Sequence, residues 1–247
     1  MVLTRLKCTV RRVTGDRVYL SLNGVKVRVR HWYRMLLGRD PRIVALHRGA
    51  IERHGEWYLC PTPLTRQSVV YSLGIGTDIS FDLSVINRFG VHVHAFDPTP
   101  TATEWIRKQA LPSHFHAYAY GVADFDGMAK FERPDDAENP SFIYRGERVA
   151  VTGATLCPVR RLRSLMDMLG HVEIDVLKMD IEGAEYDVIE NMLTEGVLVR
   201  QLLVEFHHRK PWLGVQKTLA AVQLLARAGY RLFHMSPGGE EWAFIRE

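Results

Sequence analysis

Cysteine is scarce in this chain: Cys8, Cys60 and Cys157 are the three present in 247 residues, and no two of them form a C-x-x-C pair. An odd number at such wide spacing excludes a disulfide framework and a thiolate zinc site, so they read as reduced, buried thiols. No apolar run approaches the roughly 18 to 20 residues that cross a bilayer. Met1 to Val10 also lacks the apolar centre of a secretory signal, so a cytoplasmic location is expected. There is no internal repeat, no low-complexity tract and no long block of like charge, which excludes a solenoid and a charged disordered tail. The formal net charge of +4 is small. It permits an anionic partner without requiring one.

What is present is enough apolar material, 47% of 247 residues, for a full core. The simplest division is a small β-rich appendage over residues 1–60 and one large domain over 61–247. Within the appendage, Leu6, Cys8 and Val10, then Val18, Leu20 and Leu22, then Val25, Val27 and Val29 alternate with polar residues, with turn signals at Thr14-Gly-Asp16 and Asn23-Gly24. That period of two predicts a three-stranded antiparallel meander over residues 6–30. Its other parity carries Lys7, Thr9, Arg11, Arg17, Tyr19, Lys26, Arg28 and Arg30. This face reads as the solvated side of a half-buried sheet, the sharper alternative being an anion-binding or nucleic-acid-binding platform.

Beyond Pro61-Thr-Pro63, strand and helix patterns alternate. Strands are expected at Val69 to Leu73, Val91 to Phe96, Phe115 to Val122, Val176 to Met179 and Gln201 to Phe206. Helices are expected after Asp78, from a capping box at Thr101-Ala-Thr-Glu104, from Ala184 to Leu193 and around Lys217 to Ala228. Arg231 to Met235 and Glu241 to Ile245 close the chain as a pair. The alternation predicts an α/β fold: a doubly wound, mostly parallel, Rossmann-like sheet with an antiparallel strand near the C-terminus. Residues 133–153 show no clear period and hold Asp135, Asp136, Glu138 and Pro140. So long a loop reads as a substrate lid, the alternative being disorder.

Two places carry the chemistry. In Val176-Leu-Lys-Met-Asp-Ile-Glu-Gly-Ala-Glu-Tyr-Asp-Val-Ile189 an apolar run stops at Asp180 and Glu182 and turns at Gly183 into a helix. Ligands of open parallel sheets collect at such strand ends. In Gly74-Ile-Gly76-Thr-Asp78 a glycine turn follows a buried strand, letting backbone amides approach a ligand at a helix N-terminus. Asp97, about twenty residues on at the end of the next strand, suits the two hydroxyls of a ribose. A dinucleotide is disfavoured, because the third glycine of G-x-G-x-x-G is replaced by Ile79.

Leu177-Lys-Met-Asp-Ile-Glu-Gly-Ala-Glu185, Val93-His-Ala-Phe-Asp97, Gly121-Val-Ala-Asp124 with Gly127, and Leu203-Val-Glu-Phe-His207 together resemble the FkbM-like S-adenosylmethionine-dependent methyltransferases, over roughly Val69 to Arg246. The resemblance implies a class I methyltransferase fold. Gly74, Gly76 and neighbouring amides out to Asp78 would hold the methionine part of S-adenosyl-L-methionine, Asp97 the ribose, and Ala123 and Asp124 the adenine. Family members act mostly as O-methyltransferases on sugars, polyketides or glycolipids. This chain departs from many class I enzymes in having Ser72 where the first strand usually carries an acid, and Asp78 where a third glycine is usual. The N-terminal meander lies outside the family core.

O-methylation requires a hydroxyl oxygen in line with the sulfonium methyl and a group to take its proton. Asp180, Glu182, Glu205 and His207 are expected at the mouths of two successive strands, where His207 serves as general base with a carboxylate orienting it. Alternatively Asp180, Glu205 and His207 hold a divalent metal; base catalysis without metal is the favoured reading. His208 should face the opposite side, and His92 and His94 should pack. The expected acceptor is a small-molecule or glycan hydroxyl. The rivals are a nucleic-acid methyltransferase and a catalytically silent cofactor-binding protein.

Overall fold

The computed structural model describes residues 16–43, 50–132, 143–144 and 155–246. Its centre is a seven-stranded sheet of order β12-β13-β11-β10-β3-β4-β5, where β3 is Val69–Leu73, β4 His92–Phe96, β5 Phe115–Tyr118, β10 Ile174–Met179, β11 Val199–Glu205, β12 Tyr230–Met235 and β13 Glu241–Arg246. β10 is buried along its whole length and β3 nearly so. Such near-continuous apolar runs belong to parallel strands covered on both faces. The pairs β11–β10, β10–β3, β3–β4 and β4–β5 are parallel, while β13 runs antiparallel to both β11 and β12.

Alternate residues of each strand feed two apolar layers. On one face Tyr71, Leu73, Leu177, Met179, Leu202 and Val204 meet the helices α4 (Leu162–Leu169), α5 (Glu185–Thr194) and α6 (Gly214–Arg227). On the other, Val70, Val93, Val176 and Leu203 meet α2 (Ser80–Phe89) through Phe81, Val85 and Ile86. That second face is completed by a hairpin, β1 (Glu52–His54) and β2 (Trp57–Leu59), whose Trp57 and Leu59 join the same core. The buried amide of Gln201 receives the Cys60 N–H at 2.7 Å and donates to its carbonyl at 2.9 Å, which satisfies the end of the hairpin. A small second sheet, β6 (Gly121–Val122), β9 (Thr155–Arg160), β7 (Gly127–Glu132) and β8 (Ile143–Tyr144), lies in that order.

The expected strands and helices of residues 69–246 are present, with two local corrections. The helix α3, Pro100–Ile106, is capped by Thr99, whose hydroxyl accepts from the Ala102 N–H, rather than opening at a Thr101 box. Pro100, with its φ preset and no N–H to satisfy, suits the first helical position. The expected single strand from Phe115 to Val122 is split between the two sheets.

The meander expected over residues 6–30 is corrected more fully. Residues 16–36 form one helix, α1 (Asp16–Leu36), and residues 6–15 lie outside the described part. The antiparallel pair near the N-terminus is instead the hairpin at 52–59. The alternating segment also satisfies a helical period, because Val18, Leu22, Val25, Val29, Trp32 and Leu36 follow one another at steps of four and three. A long helix meets its own backbone hydrogen bonds, whereas each strand of a meander needs a neighbour. On a helix Lys26 and Arg30, four residues apart, stay on one face while Arg28 turns to the opposite side, since successive residues turn by about 100°. Among the described residues these three side chains therefore do not form the single basic face that a strand would give them. The expected lid at residues 133–153 lies outside the described residues, apart from Ile143 and Tyr144. Among the described residues no helix is long and apolar enough to cross a membrane.

Because Leu59 is fully buried between hairpin and sheet, Leu59→Ala is expected to cost about 2 to 5 kcal/mol of folding stability through lost burial and a residual cavity. Urea unfolding of the variant beside the parent chain measures this. An unchanged midpoint would mean that the hairpin is not part of the core.

Candidate active site

The sheet reverses direction of winding between β3 and β10, and the residues after these two strands touch. Leu73 pairs with Met179, so Gly74 falls beside Asp180. Asp180 N–H donates to the Leu73 carbonyl at 3.0 Å, and Gly74 N–H to the Phe96 carbonyl at 2.9 Å. A Cβ on Gly74 would stand 1.7 Å from the Asp180 carbonyl oxygen, and its φ is +72°. Glycine is required here for both space and backbone. The buried Lys178 ammonium donates to the Gly74 carbonyl at 2.9 Å and lies over the Trp57 ring, so a charge braces the turn from below.

Above this seam opens a cavity of about 910 Å³, counted to its mouth. Gly74, Ile75, Gly76, Thr77 and Asp78 form one wall, Phe96, Asp97, Val122 and Phe131 another, and Asp180, Ile181 and Glu182 a third. Asp97, though nearly buried, reaches this space while holding its own turn together. One carboxylate oxygen accepts the Gly76 N–H at 2.9 Å, and the other accepts the Thr99 N–H at 2.9 Å and the Thr99 hydroxyl at 2.6 Å. Three of about four acceptor positions are thus taken within the protein. A second, smaller cavity of about 480 Å³ shares Gly74, Ile75, Asp78 and Asp180 with the first and adds Trp57, Lys178, Glu205 and Glu241.

Register also brings together the acidic residues expected from the sequence. Met179 pairs with Val204, which sets Asp180 next to Glu205 at adjacent strand ends. His207 follows, with Nε2 at 3.7 Å from Asp180, 3.4 Å from Glu182 and 4.0 Å from Glu205. Its Nδ1 is 3.1 Å from Glu185, a fully buried side chain. That carboxylate also accepts the His207 backbone N–H at 3.0 Å and the Gly183 N–H at 2.8 Å. An acceptor already receiving backbone donors takes the Nδ1 proton of the ring and turns its Nε2 edge toward the acidic group.

Burial works against a charge on His207, yet the hydrogen bond to Glu185 and the charges of Glu185, Glu182 and Glu205 prevail and hold its pKa up at about 9. Burial, and then the negative charge of Asp180, push Glu205 up to about 8. Burial raises Asp180 as well, against the pull of Lys178 and His207. Glu182 occupies a left-handed conformation, φ 57°, uncommon for a residue with a side chain. Its carboxylate pairs with Lys210.

Gly74, Gly76, Asp78, Asp97, Asp180 and Glu182 therefore line the large cavity, Glu205 lines the smaller one, and His207 stands within 4.0 Å of Asp180, Glu182 and Glu205. Ala123 is buried and Asp124 exposed, and the neighbours Gly121 and Val122 line the cavity instead. His208 turns away and bonds Asp40 at 3.2 Å. His94 stacks on His116 and contacts the Tyr118 hydroxyl at 3.2 Å, and burial lowers its pKa to about 4, as befits a packed neutral ring. Glu185, Lys178 and Lys210 were not singled out from the sequence. Glu185 stands within the quoted motif, but an acid in a first helical turn has an ordinary explanation there. Gly74→Ala is expected to destabilise the fold well beyond the roughly 1 to 2 kcal/mol of a left-handed alanine, whereas Gly76→Ala, with nothing within 4 Å of its Cβ, should cost about that much. Thermal unfolding of the two variants separates steric from backbone cost, and equal losses would contradict the close approach at Asp180.

The model of the methyltransferase FkbM domain matches residues 74–232. Among curated proteins, the chain is 31% identical over 182 residues to "Probable methyltransferase-like protein 24" of Rattus norvegicus, and 29% identical over 180 residues to its namesake in Homo sapiens. These alignments take in 69% and 68% of this chain but 43% of either relative, so the chain spans less than half of their length. A solved fibrillarin pre-rRNA processing protein of Methanococcus jannaschii aligns at a TM-score of 0.45 and 10% identity, covering 84% of this chain and 86% of that one, a likeness too slight to carry an argument. The domain match runs from the glycine turn through Asp97 and the carboxylate rim to β12, and on that ground the chain belongs to the FkbM-domain methyltransferase family.

Proposed function

We propose that the chain transfers the methyl group of S-adenosylmethionine to a hydroxyl oxygen of a small molecule, with sugars, polyketides and glycolipids as the acceptor classes. The observation that carries this reading is the pair of adjoining cavities sharing Gly74, Ile75, Asp78 and Asp180. The larger has the mixed apolar and polar lining of a cofactor pocket. The smaller is lined by carboxylates and Lys178, a polar wall suited to a hydroxylated acceptor. A reducing, cytoplasmic setting belongs to the same proposal and is supported by the free thiols of Cys60 and Cys157.

The cavity fits the cofactor. The left-handed turn at Gly74 and Gly76 would let backbone approach the methionine portion, Asp97 would offer its remaining acceptor capacity to the ribose, and Phe96, Val122 and Phe131 would give the adenine an apolar wall. S-adenosylmethionine supplies an electrophilic methyl group on a sulfonium centre. The chain's own task is to place the acceptor oxygen in line with that methyl and to receive its proton. Asp180, which borders both cavities, orients the hydroxyl, and the group formed by Asp180, Glu205 and His207 takes the proton. Glu185 fixes the ring of His207 and Lys210 steadies Glu182. Of the N-terminal sixty residues none is in the described lining of the larger cavity, which lies between Gly74 and Ala184, whereas Glu56 and Trp57 of the hairpin line the smaller one.

S-adenosylhomocysteine is expected to bind the chain in calorimetry and NAD is not. Asp97→Ala should weaken that binding by about 1.5 to 3 kcal/mol, the scale of charge-assisted hydrogen bonds. Tight NAD binding with none for S-adenosylhomocysteine would sink the assignment. Asp180→Asn and His207→Ala should each lower methyl transfer by about 10²-fold or more while cofactor affinity changes less. A screen of hydroxylated acceptors with isotope-labelled cofactor measures this, and full activity in both variants would remove these residues from the reaction.

A further inference from the structure

We propose that Asp180, Glu205 and His207 form a binding site for one divalent cation, which activates the acceptor hydroxyl. The inference rests on the methyl-transfer reading above and concerns the same rim. Each of the three residues offers one ligand atom, and these atoms lie within 4.8 Å of one another. The His207 Nε2 stands 3.7 Å from Asp180 and 4.0 Å from Glu205. Neighbouring ligands on an octahedral ion with bonds near 2.1 Å are about 3 Å apart, so a modest inward turn of two carboxylates closes the set.

Two further observations favour a cation over a purely protein-built cluster. First, the imidazole is prepared as a ligand. Its side chain is 9% exposed, its Nδ1 is tied to the buried Glu185, and its Nε2 points into the group. A ring nitrogen anchored by a carboxylate behind it is the usual outer support of a metal-bound histidine. Second, no hydrogen-bond donor among the described residues reaches the carboxyl oxygens of Asp180 or Glu205, although both are partly buried; their partner there is the Nε2 edge of His207. This contrasts with Glu185 and Asp97, each of which accepts three hydrogen bonds nearby.

Two carboxylate oxygens and one imidazole nitrogen suit manganese or magnesium, with coordination positions left for water and acceptor. Asp180 lines both cavities, so those positions face the junction where methyl and hydroxyl must meet. A cation there lowers the pKa of the acceptor hydroxyl. With the three side chains engaged by the ion, the hydroxyl would give its proton to solvent instead of to them, its oxygen would form a bond to the methyl carbon, and the sulfur–methyl bond would break with its electron pair remaining on sulfur.

The test is a titration of manganese(II) into the full chain, reading free ion by electron paramagnetic resonance. S-adenosylhomocysteine calorimetry on the same samples reports the fold and the cofactor cavity. One manganese ion per chain is expected, with at least tenfold weaker binding in Asp180→Asn and in Glu205→Gln and with cofactor-product affinity little changed. Absence of manganese binding in a parent chain that still binds S-adenosylhomocysteine would overturn the cation site and leave the methyl-transfer reading standing. Equal manganese binding in both variants would place the ion elsewhere and overturn it as well. A parent chain that binds no S-adenosylhomocysteine would instead remove the reading on which the inference rests.

Discussion

The contact between Gly74 and the backbone of Asp180 is the constraint around which this molecule is arranged. β3 and β10 lie side by side, yet the chain leaves them in opposite directions around the sheet, so a crevice opens where they end. The two backbones approach so closely that a single methyl group at position 74 would collide with the Asp180 carbonyl. That approach places the glycine turn and the acidic rim on either side of one opening. The division into two adjoining cavities follows from it, since Gly74, Ile75, Asp78 and Asp180 wall both. A looser seam would leave both groups of residues present but without a common geometry.

Holding so many carboxylates at one strand end requires compensation from several directions. Lys178 comes up from within β10 and is itself covered by Trp57 of the hairpin. Lys210 comes from the turn after β11. Glu185 accepts two backbone N–H groups and thereby ties the start of α5 to the end of β11. These contacts explain how a partly buried rim of like charge coexists with a packed core: the cost of burying each acid is offset by a nearby cation, by backbone donors or by the imidazole. They also give the hairpin at 52–59 a part in the site, because it shields the lysine that supports the turn.

The N-terminal region shows where local pattern is a weak guide. Its apolar residues satisfy periods of two and of 3.6, and helix α1 leaves Val25, Val29, Trp32 and Leu36 exposed along one ridge. Its described attachment is polar: His31 bonds Asp40 at 2.8 Å, and Asp40 in turn binds His208 and Arg209. None of these partners is near in sequence to the others except His208 and Arg209, so their convergence on one buried aspartate has no local signature.

The sequence by itself determined the alternation of strands and helices from residue 69 onward, because strands buried on both faces must be apolar throughout and the helices between them must be amphipathic. It also determined that Asp97, Asp180 and Glu205 end strands, since a buried apolar run cannot continue through an unpaired acid. The glycine turn was legible for the same local reason: a sharp exit from a strand into a helix asks for left-handed backbone. The tertiary structure alone decided which acid orients His207, because Glu185 reaches it across β10 and β11 through a register that no spacing reveals. It alone decided that Asp97 spends most of its acceptors on Gly76 and Thr99, and that Lys178 supports Gly74 across 104 residues of chain. It also decided between helix and meander at the N-terminus, where the pattern satisfies both and the available partners, rather than the residues themselves, select the outcome.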